Sequence, residues 1–198
     1  MLSTDLKFLE NAYDALNKEH FNSELIRPVI TIQKTAGAYG HFTPYNAWKC
    51  GDKEYREINI GAQDLDRDLV KVLATLQHEM VHQWCADNNI KDTSANGRYH
   101  NQKFKLEAEK RGLIITKGSS SIGWSVTTPS EAFTAFVHSK FKQRINSSRK
   151  REANIAAAGK AKSSTRKYIC PGCSTSVRAT KIVEIKCIPC DKKMESED

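Results

Sequence analysis

Two histidines four residues apart, His78 and His82, stand in the run Leu76-Gln77-His78-Glu79-Met80-Val81-His82-Gln83-Trp84. On an α-helix, residues i and i+4 share a face, so both imidazoles can reach one metal ion, with Glu79 beside them. Zinc held in this way leaves the neighbouring carboxylate placed to act as a general base toward water. Near the other end of the chain, Cys170-Pro171-Gly172-Cys173 and Cys187-Ile188-Pro189-Cys190 form two Cys-x-x-Cys knuckles separated by thirteen residues. Four thiolates in two close pairs suit a closed, tetrahedral structural zinc. The sequence therefore predicts two Zn2+ ions, one catalytic and one structural.

A catalytic zinc usually has three protein ligands and keeps its fourth position open. His100 is the candidate for the third, and Glu107, Glu109 and Glu131 are the carboxylate alternatives. Glu107 and Glu109 also read as solvated helix charges. Glu131 fits a capping box, Thr128-Pro129-Ser130-Glu131, with Pro129 at the first helical position and a helix continuing through Phe133, Phe136 and Val137. The isolated His41 reads as an ordinary polar residue, Cys50 and Cys85 as ordinary thiols, and Tyr99 as a packed ring.

The elements that must position these groups are legible from spacing. Leu69, Val72, Leu73, Leu76, Met80 and Trp84 recur at three- and four-residue steps, one apolar stripe of a helix carrying the histidines off its centre. Asp66 is the expected N-cap, Asp68 adds charge to the first turn, and Leu65 and Val70 stand at hydrophobic-staple positions. Upstream, Leu6, Leu9, Tyr13 and Leu16 mark a helix over Thr4 to His20. Strands are expected at Pro28 to Ile32, after the Ala36 to Gly40 turn at His41-Phe42-Thr43, and at Tyr55 to Ile60, giving a short mixed sheet. An exposed edge of that sheet could hold an extended peptide across the metal. Downstream, a second helix starts around Tyr99 to Asn101, presents His100 inward, packs through Phe104, Leu106 and Ala108, and stops at Gly112.

The chain has 198 residues, a formal charge of +8 and a pI near 9.2, which favours an anionic partner, nucleic acid before membrane. From Lys140 to Lys167, ten Lys and Arg face only Glu152, a basic linker with a helical tendency around Ala153 to Ala158. The ribbon around the cysteines is expected to hold a hairpin of Ser176 to Ala179 with Ile182 to Ile185, and to draw most of its folding free energy from metal. No apolar run approaches membrane-spanning length and the first residues lack a signal-peptide pattern, so a cytoplasmic, DNA-associated protein is expected. The organisation predicted is an α+β, zincin-like domain of helices on a small mixed sheet (1–141), a basic linker (142–167) and a four-cysteine zinc ribbon (168–193).

Taken together, these residues resemble the SprT-like metalloprotease family, which includes the Spartan proteases that degrade proteins crosslinked to DNA. The likeness is carried by Tyr55-Arg56-Glu57-Ile58-Asn59-Ile60 leading through Leu69, Leu73 and Leu76 to His78-Glu79-Met80-Val81-His82, by His100 with Phe104, and by the C-terminal ribbon. The family often has glycine after the third histidine, where this chain has Asn101, a residue that tolerates unusual backbone angles. The resemblance implies that His78, His82 and His100 bind zinc, that Glu79 is catalytic, and that linker and ribbon recruit the peptidase to DNA to cleave DNA-bound or crosslinked proteins. The competing reading is a nonproteolytic zinc-containing scaffold for nucleic acid or transcription machinery.

Overall fold

Leu9, Ala12, Tyr13 and Leu16 repeat at helical spacing, and in the computed structural model of the chain all four are fully buried along α1, Leu2–His20. The structure describes residues 2–150 and 165–197, in two compact units, Met1–Arg151 and Glu152–Asp198. Both units mix helix or turn with small sheets, and the class is α+β. The helix expected around Ala153 lies outside the described residues.

After α1 the chain reverses through Asn22 and Ser23, both left-handed, and the Asn17 side chain closes the turn on both backbone groups of Leu25. Strand β1, Val29–Gln33, then lies parallel to β3, Lys53–Gly61, while β2, Gly40–Cys50, pairs antiparallel on the other side of β3. This is the expected mixed sheet, in the order β1-β3-β2, with β2 at its edge. Register places Ile30 opposite Ile58 and Ile32 opposite Ile60, and Ile30, Ile58 and Ile60 bury themselves in the core. Asn59, fully buried, takes hydrogen bonds from Gln33 N–H and the Thr31 hydroxyl and donates to Thr35 Oγ1, so its amide is satisfied.

The histidine-bearing helix is α2, Leu69–Asp87. Its N-cap is Asp68, whose carboxylate accepts the Val70 N–H at 2.9 Å, and not Asp66. A 3₁₀ turn at Ala62–Asp64 and the bond from Arg67 Nε to the Asp64 carbonyl use residues 64–67 in a turn, so the helix cannot begin until Asp68 and Leu65 and Val70 are not a staple pair. Tyr13 donates from its hydroxyl to Gln83 Oε1 (2.9 Å) and ties α1 to α2.

A short hairpin, β4 (Thr93–Ser94) and β5 (Tyr99–His100), turns through the left-handed run Ala95, Asn96 and Gly97. Helix α3, Gln102–Glu109, follows, capped by Asn101, which accepts the N–H groups of Lys103 and Phe104. Asn101 has extended backbone (φ −94°), so it serves as a cap and not as a left-handed glycine substitute. His100 thus sits on a strand just before the helix. Gly112, at φ +80°, lies beyond the helix end as expected.

The sequence reading has no counterpart for β6 (Leu113–Thr116) and β7 (Val126–Pro129), an antiparallel pair. Pro129 is paired with Leu113 in that hairpin, which displaces the expected capping box: the N-cap of α4, Glu131–Lys140, is Ser130, accepting the Phe133 N–H, and Glu131 is the first helical residue. The basic segment expected to be free from residue 142 is instead laid on the first unit as far as Lys150. Phe141 packs on Phe8, Ile145 joins the core, Asn146 and Ser147 donate N–H groups to the buried Asp5 carboxylate, and Arg149 N–H bonds the Ala62 carbonyl.

In the second unit β8 (Arg166–Ile169) is the middle strand between β12 (Glu195–Glu197) and β9 (Ser176–Ala179), while β10 (Lys186–Cys187) pairs β11 (Lys192–Lys193). The expected partner of Ser176 to Ala179, residues 182–185, forms no strand; the tight Cys170 to Cys173 knuckle reverses the chain first and gives β9 to β8. Among the described residues of this unit the buried set is Tyr168, Cys170, Cys187 and Met194. Among the described residues no helix is long and apolar enough to cross a membrane.

Candidate metal centres

Helix α2 turns Val72, Leu73, Leu76 and Met80 into the core and leaves His78 and His82 one turn apart at its margin. The β4–β5 hairpin brings His100 to them. The three Nε2 atoms stand 3.2 Å (His78 to His100), 3.2 Å (His82 to His78) and 3.1 Å (His82 to His100) apart. Three nitrogens at about 2.0–2.1 Å from one tetrahedral zinc would be separated by about 3.3 Å, so the donor set fits Zn2+. The fully buried Phe104 underlies all three rings, with centroid distances of 4.5, 4.5 and 4.7 Å to His78, His82 and His100.

Two of the rings are aimed by hydrogen bonds at their far nitrogens. His82 Nδ1 lies 2.5 Å from Asp92 Oδ2, and His78 Nδ1 lies 2.7 Å from Thr127 Oγ1. Such partners fix tautomer and ring orientation and leave Nε2 free for a metal. His100 is held through its backbone, donating to the Ile122 carbonyl (3.0 Å) and accepting from Trp124 N–H (2.9 Å). Burial, and then the neighbouring His82 and His100, hold His78 well below its ordinary pKa; burial and His82 bring His100 down to about 4. Both rings are thus neutral, the form that binds a metal.

Glu79 points from the same helix toward the sheet. Gly40 is what lets β2 approach: a β-carbon there would lie 2.8 Å from the Asn59 carbonyl oxygen, 3.0 Å from Thr75 Cγ2 and 3.3 Å from Glu79 Oε1. The Phe42 backbone N–H bonds the Glu79 carboxylate. Burial pushes this carboxyl up to about 7, while His82 and the Phe42 bond pull the other way. A cation at the imidazoles would favour its ionised form further.

The carboxylate alternatives for the third ligand are engaged elsewhere or distant from the cluster. Glu107 bonds Lys110 and Arg111, each at 2.7 Å, Glu109 faces Lys105 at 3.7 Å, and Glu131 is exposed at the start of α4. The candidate metal group in this unit is His78, His82 and His100. Sequence spacing alone does not single out Asp92, Thr127, Gly40 or Phe42, which the fold brings to the site from three separate stretches of chain.

Cys170, Cys173, Cys187 and Cys190 form a second candidate group, with all four sulfurs within 4.8 Å of one another. Cys173 and Cys187 are 3.6 Å apart, near the roughly 3.8 Å expected of two thiolates at about 2.3 Å from one zinc. In each knuckle the residue after the second cysteine, Ser174 or Asp191, is left-handed, and Gly172 N–H points at Cys170 Sγ (3.3 Å). Hydrogen bonds from Thr175 draw the Cys173 thiol down to about 6, whereas the hydrogen bond with Cys173 pushes Cys190 up to about 12. A cation is what allows four such thiolates to coexist.

No family model, curated protein or solved structure matches the chain. The two donor sets are each compatible with zinc, and the four-cysteine cluster is compatible with a zinc ribbon.

Proposed function

We propose that the first unit is a zinc-dependent endopeptidase of the zincin, SprT-like type, and that the second is a zinc ribbon. The observation that carries this reading is the convergence of three imidazole Nε2 atoms within 3.2 Å, with the Glu79 carboxyl on the same helix. Zinc at these nitrogens would polarise a scissile carbonyl and lower the pKa of water toward neutrality. Glu79 receives a proton on its carboxylate and returns it to the leaving amine, a role helped by a pKa raised toward the working range. Phe42 N–H orients that carboxylate, while Asp92 and Thr127 orient two of the rings. Strand β2 is at the edge of its sheet beside Glu79, where an extended polypeptide could add its backbone.

The basic residues from 140 to 167 and the ribbon supply the second part of the reading, recruitment to DNA, with DNA-bound or crosslinked proteins as substrates. The test is to incubate the zinc-loaded chain with a DNA-binding protein, with and without single- or double-stranded DNA, beside Glu79→Gln. Cleavage lost in a Glu79→Gln protein that retains zinc, and stimulated by DNA, is the expected result. No cleavage under any condition, with zinc at both sites, would leave the nonproteolytic nucleic-acid-binding scaffold.

A further inference from the structure

Residues 1–139 hold 16 Lys and Arg against 17 Asp and Glu and are close to neutral, yet seven of those bases and only three of the acids fall between residues 91 and 117. The three acids are engaged: Asp92 with His82, Glu107 with Lys110 and Arg111, Glu109 with Lys105. Lys91, Arg98, Lys103 and Lys117 are exposed and make no ion pair among the described residues.

Part of this charge converges on one loop. Lys105 and Lys117 both stand over the Trp124 indole, with Nζ 4.2 and 5.9 Å from the ring centroid. Arg98 lines a cavity of about 490 Å³ with Tyr99 and the hydroxyls of Ser94, Ser120 and Ser121, and no carboxylate faces into it. Its walls join the β4–β5 turn to the loop whose Ile122 and Trp124 bond the His100 backbone. A solvated charged surface needs none of this. A guanidinium, three hydroxyls and an aromatic ring around a concave space of ligand size are the groups that take a phosphate with its base.

We propose that this face of the first unit binds single-stranded nucleic acid, with phosphates at Arg98, Lys117 and the serine hydroxyls and an unpaired base against Tyr99. A paired base lies inside its duplex and cannot enter the cavity. The site is separate from the linker and ribbon and does not depend on whether the metal centre cleaves peptides. It places a strand next to the hairpin that carries His100.

Binding of a fluorescein-labelled thymidine 15-mer to the full chain, measured by anisotropy over a salt series, tests this. For Arg98→Ala/Lys117→Ala, with an unaltered circular dichroism spectrum, affinity falls roughly tenfold and the slope of log K against log salt loses about 1.4, two phosphate contacts' worth. In the unaltered chain, a 15-mer carrying 5-iododeoxyuridine photocrosslinks to Tyr99 or Trp124. An unchanged slope together with crosslinks confined to residues 140–198 overturns the proposal. So does a duplex that competes as well as the single strand, or poly-glutamate that competes as well at equal charge, which would make this a duplex or acidic-polypeptide surface. Cleavage equal in Glu79→Gln and the parent chain would instead sink the peptidase reading and leave this one standing.

Discussion

Asp92 Oδ2 lies 2.5 Å from Nδ1 of His82, across the hairpin that also delivers His100. One carboxylate therefore aims the His82 ring on α2, while the Asp92 carbonyl accepts the Asn101 N–H (2.9 Å) next to His100 on β5. Asp92→Asn is expected to lower zinc affinity at the three-histidine centre by about 10–100-fold, the usual effect of removing such a partner. Competition titration with a chromophoric chelator reads this directly. Parent-like affinity would mean that the packing on Phe104 alone orients His82.

Gly40 sets the distance between β2 and α2. Gly40→Ala puts a methyl 2.8 Å from the Asn59 carbonyl oxygen and 3.3 Å from Glu79 Oε1, so strand and carboxylate must move apart. Overpacking of this kind costs about 1–3 kcal/mol. Thermal unfolding should show a lowered midpoint, and cleavage should fall more than zinc binding does. An unaltered midpoint would show that the sheet edge yields freely.

Among its described residues the second unit buries only Tyr168, Cys170, Cys187 and Met194, too small an apolar core to hold it together without a bound metal. Cys187→Ser should unfold it and leave the first unit, with its own large core, intact. Limited proteolysis resolves the two units: a stable fragment ending near residue 150 beside a digested C-terminal segment is expected. Equal protease resistance of both units in the variant would refute metal-driven folding here.

His20 carries a pH dependence. Its ring stacks on Phe133 and meets Phe136 edge-on, and burial lowers its pKa below 6.5. Because the unfolded chain takes up this proton at higher pH than the folded one, His20's contribution to stability is complete above about pH 6.5 and declines as pH falls below it. His20→Phe should therefore lose less stability than the parent between pH 7 and 5 in urea titrations. Parallel pH profiles for the two proteins would remove this role.

The parts of the site that are local in sequence are legible from residue spacing alone: His78, Glu79 and His82 share one helix, and each cysteine pair spans four residues. His100 is legible as a candidate because three ligands are needed, although its helix begins two residues later than itself. What escapes spacing depends on chain reversals. Thr127 meets His78 only because β6 and β7 form a hairpin, and the β-branched Ile114 and Ile115 after Gly112 are the available signal for it. Spacing puts both helix caps two residues early, at Asp66 and Thr128, because neighbouring residues that could cap are taken up by a turn and by strand pairing. The strap over Asp5 joins groups 141 and 142 residues apart, and its own basic character masks it in sequence.

Phe104 touches all three imidazoles from beneath and belongs at the same time to the interior of the first unit. The three rings are therefore seated on the interior and not on an exposed hairpin alone. A cavity opened beneath them at Phe104 would disturb the packing of the first unit and the spacing of the three nitrogens together.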